Sequence, residues 1–161
     1  MRFQIRAPRL TEARALSDLA FRAKAHWGYS AEWLQLWDAD LTLSVDYLRT
    51  HHAFVAESAG AAVGLCVLEL QGDAASLEHV WIAPEHHRNG IGRALVRRAL
   101  ETAVRAGAKR VEVVSDPFAE GFYVRLGARR VREVPAPMPA APERALPVME
   151  FLLEPDGGLQ S

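Results

Sequence analysis

Trp81-Ile82-Ala83-Pro84-Glu85-His86-His87-Arg88-Asn89-Gly90-Ile91-Gly92-Arg93-Ala94-Leu95-Val96-Arg97-Arg98-Ala99-Leu100 runs from an apolar strand end, through a short glycine-bearing loop, into an amphipathic helix. Gly90 and Gly92 lack Cβ atoms, so the backbone there bends tightly and brings its N–H groups close to a ligand. The helix that follows aims its unpaired N–H groups and positive dipole end at the same place. The pattern is that of an anion cradle, and a phosphorylated ligand is its natural guest. It is not a Walker A loop, because no Lys-Ser or Lys-Thr follows the second glycine. Nor is it a dinucleotide fingerprint, because Leu95 stands where the third glycine belongs. A glycine-rich turn without a ligand is the competing reading of this loop taken alone.

Further along, Asp116-Pro117-Phe118-Ala119-Glu120-Gly121-Phe122-Tyr123-Val124-Arg125-Leu126-Gly127-Ala128 carries a second pattern. Together the two stretches resemble the GNAT superfamily of N-acetyltransferases. Its pyrophosphate loop is written Gln/Arg-x-x-Gly-x-Gly/Ala, and its later signature Asn-x-x-Ala-x-x-Phe-Tyr-x-Lys/Arg-x-Gly-Phe. The motifs come in family order, separated by a helix and a strand. This chain departs from the pattern at His87, in the Gln/Arg position, at Asp116 for Asn and at Ala128 for Phe. Arg88, adjacent to His87, supplies a cation to the loop.

The resemblance covers residues 53–134 best and implies direct transfer of an acetyl group from acetyl-CoA to an amine. It implies that His87, Arg88, Asn89, Gly90, Ile91, Gly92 and Arg93 hold the pyrophosphate, and that main-chain groups of Val80 and Ile82 hold the pantetheine arm. Asp116 and Phe122 would lie near that arm, and Tyr123 matches the family's general acid, the hydroxyl that protonates the departing thiolate. A phenol with a pKa near ~10 suits that task. The alternative for Tyr123 is packing with Phe122 under the sheet. A homodimer is expected by resemblance alone.

An amine nucleophile arrives protonated near neutral pH, so a base must take a proton directly or through water. Strand alternation puts Ser76, Glu78, Val80 and Ile82 on one face, and a carboxylate in that apolar strand makes Glu78 the first candidate. Desolvation would raise its pKa toward neutrality; a salt bridge or an exposed strand edge is the alternative. Glu112, on the next strand, is the reserve. His79 faces away from Glu78 in a regular strand, as a packed or solvent-facing histidine. His51 and His52 read as a helix C-terminal capping pair, and no histidine cluster has metal-ligand spacing, so no metal is expected. Trp27 and Tyr29 lie between the first two helices, where the family builds a wall of its acceptor site. They read either as a cation–π surface for an ammonium group or, with Trp33 and Trp37, as the core of a helical hairpin.

The 161 residues, half of them hydrophobic and with a formal net charge of -1, suit a soluble globule. Arg88, Arg93, Arg97 and Arg98 cluster after the loop, but the chain has neither a positive surplus nor interleaved aromatics for nucleic acid. The lone cysteine, Cys66, sits in an apolar run and reads as a small buried hydrophobe. No stretch approaches the ~20 apolar residues of a membrane span and the start lacks a signal-peptide core, so a cytoplasmic location is expected.

Along the chain, residues 2–6 alternate as a strand, and Thr11 is a plausible N-cap for a helix to about residue 25. Ser30 caps a second helix carrying Trp33, Leu34 and Trp37, and a third piece spans 44–50. Residues 53–57 and 61–70 form a hairpin around Ser58-Ala59-Gly60, and 75–82 is a further strand. The loop helix shows one face of Ile91, Leu95, Val96 and Leu100 and stops at Gly107. A strand over 110–115, a helix over 118–126 and a strand over 128–134 follow. Pro135, Pro137, Pro139 and Pro142 mark a stiff loop before a last strand over 146–153. This order predicts an α/β (α+β) fold: a mixed, largely antiparallel sheet of about six to seven strands with helices on both faces. One domain is expected over 1–154, with a flexible tail over 155–161. The reading is an acetyl-CoA-dependent N-acetyltransferase acting on a primary amine. The alternative is a non-catalytic acyl-CoA-binding or interaction module on the same fold.

Overall fold

The computed structural model describes residues 2–155. The expected tail therefore lies, beyond Pro155, outside the described residues. Strands β1 (Gln4–Arg6), β2 (His52–Ser58), β3 (Ala61–Gln71), β4 (Ala74–Ile82), β5 (Arg110–Val114), β6 (Arg129–Pro135) and β7 (Ala145–Leu152) join one sheet in the order β1-β2-β3-β4-β5-β7-β6. The β1–β2, β2–β3, β5–β7 and β6–β7 pairs are antiparallel and β4–β5 is parallel, so the sheet is mixed as expected. The helices, on both faces, are α1 (Ala13–Ala25), α2 (Ala31–Leu36), α3 (Asp38–Leu41), α4 (Val45–Thr50), α5 (Ile91–Arg105) and α6 (Glu120–Arg125).

The chain divides into two compact units: residues up to Leu68 together with His79–Ala99, and Glu69–Glu78 together with the residues from Leu100 on. In the first unit, α1 buries Leu16, Leu19, Ala20 and Ala23, a spacing that brings all four to one helix face. Ser30 and Ser44 cap α2 and α4, their hydroxyls accepting from the backbone N–H groups of Trp33 and Tyr47 at 3.2 and 3.0 Å. Thr11 is not a cap. A 3-10 turn over Leu10–Glu12 precedes α1, and the Glu12 carboxylate reaches back to the Arg9 N–H at 2.8 Å. The same carboxylate holds Arg6 at 2.6 Å, and Arg6 also grips Glu57 of β2 at 2.9 Å. These contacts lower both carboxyl pKa values, chiefly through the side-chain hydrogen bond from Arg6 at Glu12, and through those from Gln4 and then Arg6 at Glu57.

The β2–β3 hairpin turns through Ala59 (φ 50°) and Gly60 (φ 81°), both left-handed, as its two-residue loop requires. Gly64 on β3 marks a close approach: a Cβ there would stand 2.9 Å from Ile91 Cγ2 and 2.9 Å from Leu95 Cδ1 on α5. In the second unit, β5 pairs with β4 over Ala74–Leu77 and with β7 along its whole length. Val111, Val148, Met149 and Phe151 are fully buried there. The helix expected over 118–126 is split, beginning as a 3-10 turn over Pro117–Ala119 and becoming α-helical from Glu120. Pro117 has no N–H to donate, which favours this tight start. The proline-rich connection narrows at a bridge between Met138 and Ala141.

Candidate functional site

In the first unit, β4 delivers the chain into the glycine loop. The Gly90 carbonyl accepts the first bond of α5 from Ala94 N–H at 3.0 Å, so Gly90 is the residue from which the helix springs. The N–H groups of Ile91, Gly92 and Arg93 then have no acceptor within the helix, as for any first turn. Gly90 has φ 80°, and Arg88, exposed, has φ 65°. A left-handed arginine is conformationally costly, and such strain tends to persist where the surrounding structure over-determines it. An added Cβ at Gly90 would meet nothing within 4 Å, so the loop is open above this glycine.

His87 departs from what its place in the motif implies. Its ring turns back on α1's end, 5.0 Å from the His26 ring and 6.2 Å from Trp27, and it hydrogen-bonds the backbone of Ile82. Burial, then the neighbouring His26, lowers its pKa. Arg88, beside His87, is exposed.

Trp27 and Tyr29 do not form one surface. Trp27 stacks on His87, whereas Tyr29 packs on Trp33 and Trp37 with the Lys24 ammonium over its ring. His79, half-buried on β4, accepts a hydrogen bond at Nδ1 from Trp81 Nε1–H at 2.9 Å. Indole only donates, so the neutral ring carries its proton on Nε2. Burial pushes the His79 pKa down to about 4, His51 adds to the fall and Asp40 opposes it. The folded value lies below the unfolded one, so this ring contributes stability that is complete above pH ~6.5. That stability drains as pH falls toward about 4, by of order 2 kcal/mol. Urea unfolding at pH 7 and pH 4.5 should show the loss, and His79→Gln should reduce it; an equal loss in that variant would contradict the assignment. His51 caps α4 through Nδ1 against the Tyr47 carbonyl at 2.9 Å, but His52 opens β2 and caps nothing.

In the second unit, Glu78 is exposed, and Ser76 Oγ–H donates to its carboxylate at 2.7 Å. The expected desolvation of this carboxylate is therefore wrong: alternation correctly put Ser76 and Glu78 on one face, but that face is open at Glu78. Glu112 is held by both Arg132 terminal nitrogens, at 2.8 and 2.9 Å. That side-chain hydrogen bonding lowers its pKa, the wrong direction for a base near neutrality. Tyr123 is 5% exposed, its ring edge-on to Phe122 at 5.0 Å and to Phe151 at 6.5 Å. Asp116 caps the 3-10 turn before α6, its Oδ1 accepting from the Phe118 N–H at 2.9 Å. An aspartate does this as well as the family's asparagine, because the contact uses only an oxygen.

Val80 and Ile82 lie on the part of β4 that continues past its ladder with β5, which ends at Leu77. Two contributors were missed from sequence: Lys24 and Gly64. A lone glycine in an apolar strand was a signal for the second; the first depends on a side-chain direction that spacing does not report. A cleft of about 420 Å³ lined by Ser17, Asp18, Phe21, Arg22, Asp38, Leu41 and Thr42 contains none of the expected residues. Among the described residues no cluster of histidine, cysteine, aspartate and glutamate has the form of a metal site, and no helix is long and apolar enough to cross a membrane. Cys66 is buried, which pushes its thiol pKa up to about 12.

A family model described as the acetyltransferase (GNAT) family matches residues 13–128. N-acetyltransferase family 8 member 3 of Rattus norvegicus is 33% identical, over 77% of this chain and 59% of its own length. The chain thus spans less than two thirds of that relative. Among solved structures, the PaiA N-acetyltransferase of Thermoplasma acidophilum in complex with coenzyme A superposes with a TM-score of 0.75 at 17% identity, covering 93% of this chain and 98% of that one. A GNAT family acetyltransferase of Brucella melitensis in complex with acetyl-CoA gives 0.61 at 23% identity, covering 80% and 83%. These likenesses show the fold.

Proposed function

The chain belongs to the GNAT acetyltransferase family, and from that premise we propose that it transfers the acetyl group of acetyl-CoA to a primary amine. The observation that carries the reading is the loop from which α5 springs, with left-handed Arg88 and Gly90 and the first-turn N–H groups of Ile91, Gly92 and Arg93. This donor set fits a pyrophosphate: several N–H groups, a helix dipole and an exposed guanidinium. The relatives solved with coenzyme A or acetyl-CoA support the same ligand.

Acetyl-CoA supplies a thioester; the chain's residues must hold it and move protons. Main-chain groups of Val80 and Ile82 hold the pantetheine arm, with Asp116 and Phe122 near it, and the loop from His87 to Arg93 holds the pyrophosphate, Arg88 serving where His87 has turned away. The amine nitrogen bonds to the acetyl carbon, the carbon–sulfur bond breaks, and the amine's protons must leave. An exposed Glu78 takes a proton through water rather than as a desolvated base. Tyr123 gives its hydroxyl proton to the departing sulfur, and the amine's second proton, passed through solvent, restores the phenol. Trp27 contributes to the acceptor wall. The reading takes residues 1–154 as one catalytic domain, which a family match over residues 13–128 supports. The reading extends to a cytoplasmic homodimer, which sedimentation of the purified protein tests.

A specific observation favours a second reading. With Glu112 tied to Arg132 and Glu78 in solvent, neither carboxylate is preset as a base, as in a module that binds acyl-CoA without turnover. Thermal unfolding with acetyl-CoA, coenzyme A and ATP, followed by thiol release on an amine panel, separates the two. The transferase reading expects stabilisation by acetyl-CoA and coenzyme A but little by ATP, and then turnover. Stabilisation without turnover on any amine supports the module, and no stabilisation rejects both. Gly90→Leu should leave the protein folded at a cost of ~1–2 kcal/mol for a side chain at positive φ, yet abolish the acetyl-CoA stabilisation.

A further inference from the structure

Residues 83–90 carry the chain from the end of β4 to the start of α5. At one end the Ala83 N–H donates to the Val63 carbonyl of β3 at 2.9 Å, and at the other the Gly90 carbonyl accepts the first bond of α5. Between them, the His86 and His87 N–H groups reach back only to the Ala83 and Pro84 carbonyls, at 2.8 and 3.3 Å. Those bonds stop just short of Arg88, whose φ of 65° is the costly feature of the loop. Gly90 adopts a positive φ freely, whereas an arginine does so only where its surroundings hold it there.

Two side-chain contacts tie this stretch to the end of α1. The first is an ion pair between Arg22 and Glu85 at 3.3 Å, with the two side chains 51% and 58% exposed. A pair so open to solvent contributes little. The second is His87, the residue immediately before Arg88. Its half-buried ring stands edge-on to His26, with centroids 5.0 Å and planes 86° apart, and stacks on Trp27 at 6.2 Å and 30°. His26 and Trp27 meet each other at 5.9 Å, so the three rings form a closed set. His87 also hydrogen-bonds the backbone of Ile82, which fixes the ring to its own strand end. It is thus held from β4 on one side and from α1 on the other. Where the family pattern has Gln or Arg, this chain has a ring that packs on a helix end.

We propose that His87 is a positioning residue, and His26 its partner. Held against His26 and Trp27, His87 seats the loop on the end of α1 and keeps Arg88 and Gly90 in the left-handed conformations from which α5 springs. The inference rests on the reading above that this loop holds the pyrophosphate of acetyl-CoA. His26 makes no contact with that ligand in the proposal; it acts through His87. The rival role for His87, a direct phosphate ligand that swings out on binding, makes the opposite demand on His26: removing it frees His87 and tightens binding.

The test is calorimetric titration of the full chain with coenzyme A at pH 8, above the ordinary imidazole range. His26→Ala should weaken binding about tenfold, and His26→Phe, which keeps a ring edge for His87 to meet, should restore it to within about twofold. His87→Ala should also cost about tenfold, and the double variant no more than His87→Ala alone, because both substitutions remove one contact. Arg22→Gln should stay within about twofold. His26 is exposed, so His26→Ala should leave the ligand-free melting temperature within about 2 °C, which separates positioning from a general loss of structure. Binding that His26→Ala leaves unchanged or tightens overturns the proposal, as does an equal loss in Arg22→Gln or a hundredfold loss in the double variant. In each of those cases the unsubstituted protein still binds coenzyme A and the transferase reading stands. Absence of binding by the unsubstituted protein removes that reading and this inference together.

Discussion

Tyr123→Phe is expected to lower kcat by about a hundred- to ten-thousand-fold, the range seen when a general acid is removed, while thermal stabilisation by acetyl-CoA stays as in the unsubstituted protein. The substitution deletes one oxygen from a ring that is 5% exposed and packed edge-on between Phe122 and Phe151, so the aromatic contacts survive. What disappears, on the proposed reading, is the proton donor for the leaving sulfur. A thiolate is a tolerable leaving group, and catalysis should fall rather than vanish. The kinetic signature is a fall in kcat with little change in KM, since the hydroxyl matters as the carbon–sulfur bond breaks and not when the donor binds. An unchanged kcat would remove Tyr123 from the chemistry and leave it as a packing residue.

Gly64→Val should cost ~3 kcal/mol of folding stability, the upper part of the usual range for overpacking a core. The Cβ alone would stand 2.9 Å from atoms of both Ile91 and Leu95 and 3.3 Å from Ile82 Cδ1. Ile91 and Leu95 are 1% and 0% exposed, so neither can swing out into solvent. The strain falls on the first turn of α5, so the variant should also lose acetyl-CoA stabilisation, whereas Gly64→Ala, which adds the Cβ alone, should lose less of both. Chemical denaturation reads the first effect and thermal shift the second. A Gly64→Val protein as stable as the original would mean that β3 and α5 can separate freely.

The parts of this fold that follow local rules were legible in the sequence. The face of α5, the caps at Ser30 and Ser44, the left-handed turn at Gly60 and the stop at Gly107 are written in residue types whose conformational preferences are strong. The two motifs identified the family for the same reason: glycines and a short run of aromatics at fixed spacing. What spacing leaves open is depth. Alternation found the face carrying Glu78 but not that solvent covers it, and it could not show that Arg132, twenty residues on, would neutralise Glu112. Rotamers were equally hidden: His87 sits where the motif puts it, yet its ring swings toward His26 and Trp27. The competing readings of Tyr29 each held a part of the outcome, since the cluster packs as a hairpin and also holds an ammonium, though one supplied by Lys24.

The three residues of β1 have a consequence for handling the protein in acid. So short an edge strand contributes few backbone bonds, and its attachment depends on Arg6 clasped between Glu12 and Glu57. Both carboxyl pKa values are lowered in the folded state, so the clasp is intact above the ordinary carboxyl range and opens as pH falls through the folded values. Once it opens, the outer edge of β2 stands bare, and a bare edge is a template for another chain. Acid below the ordinary carboxyl range should therefore produce a species still folded at its centre but prone to self-association. Light scattering would show particles growing before the far-ultraviolet signal is lost, and salt, by screening the same clasp, would bring the onset to higher pH.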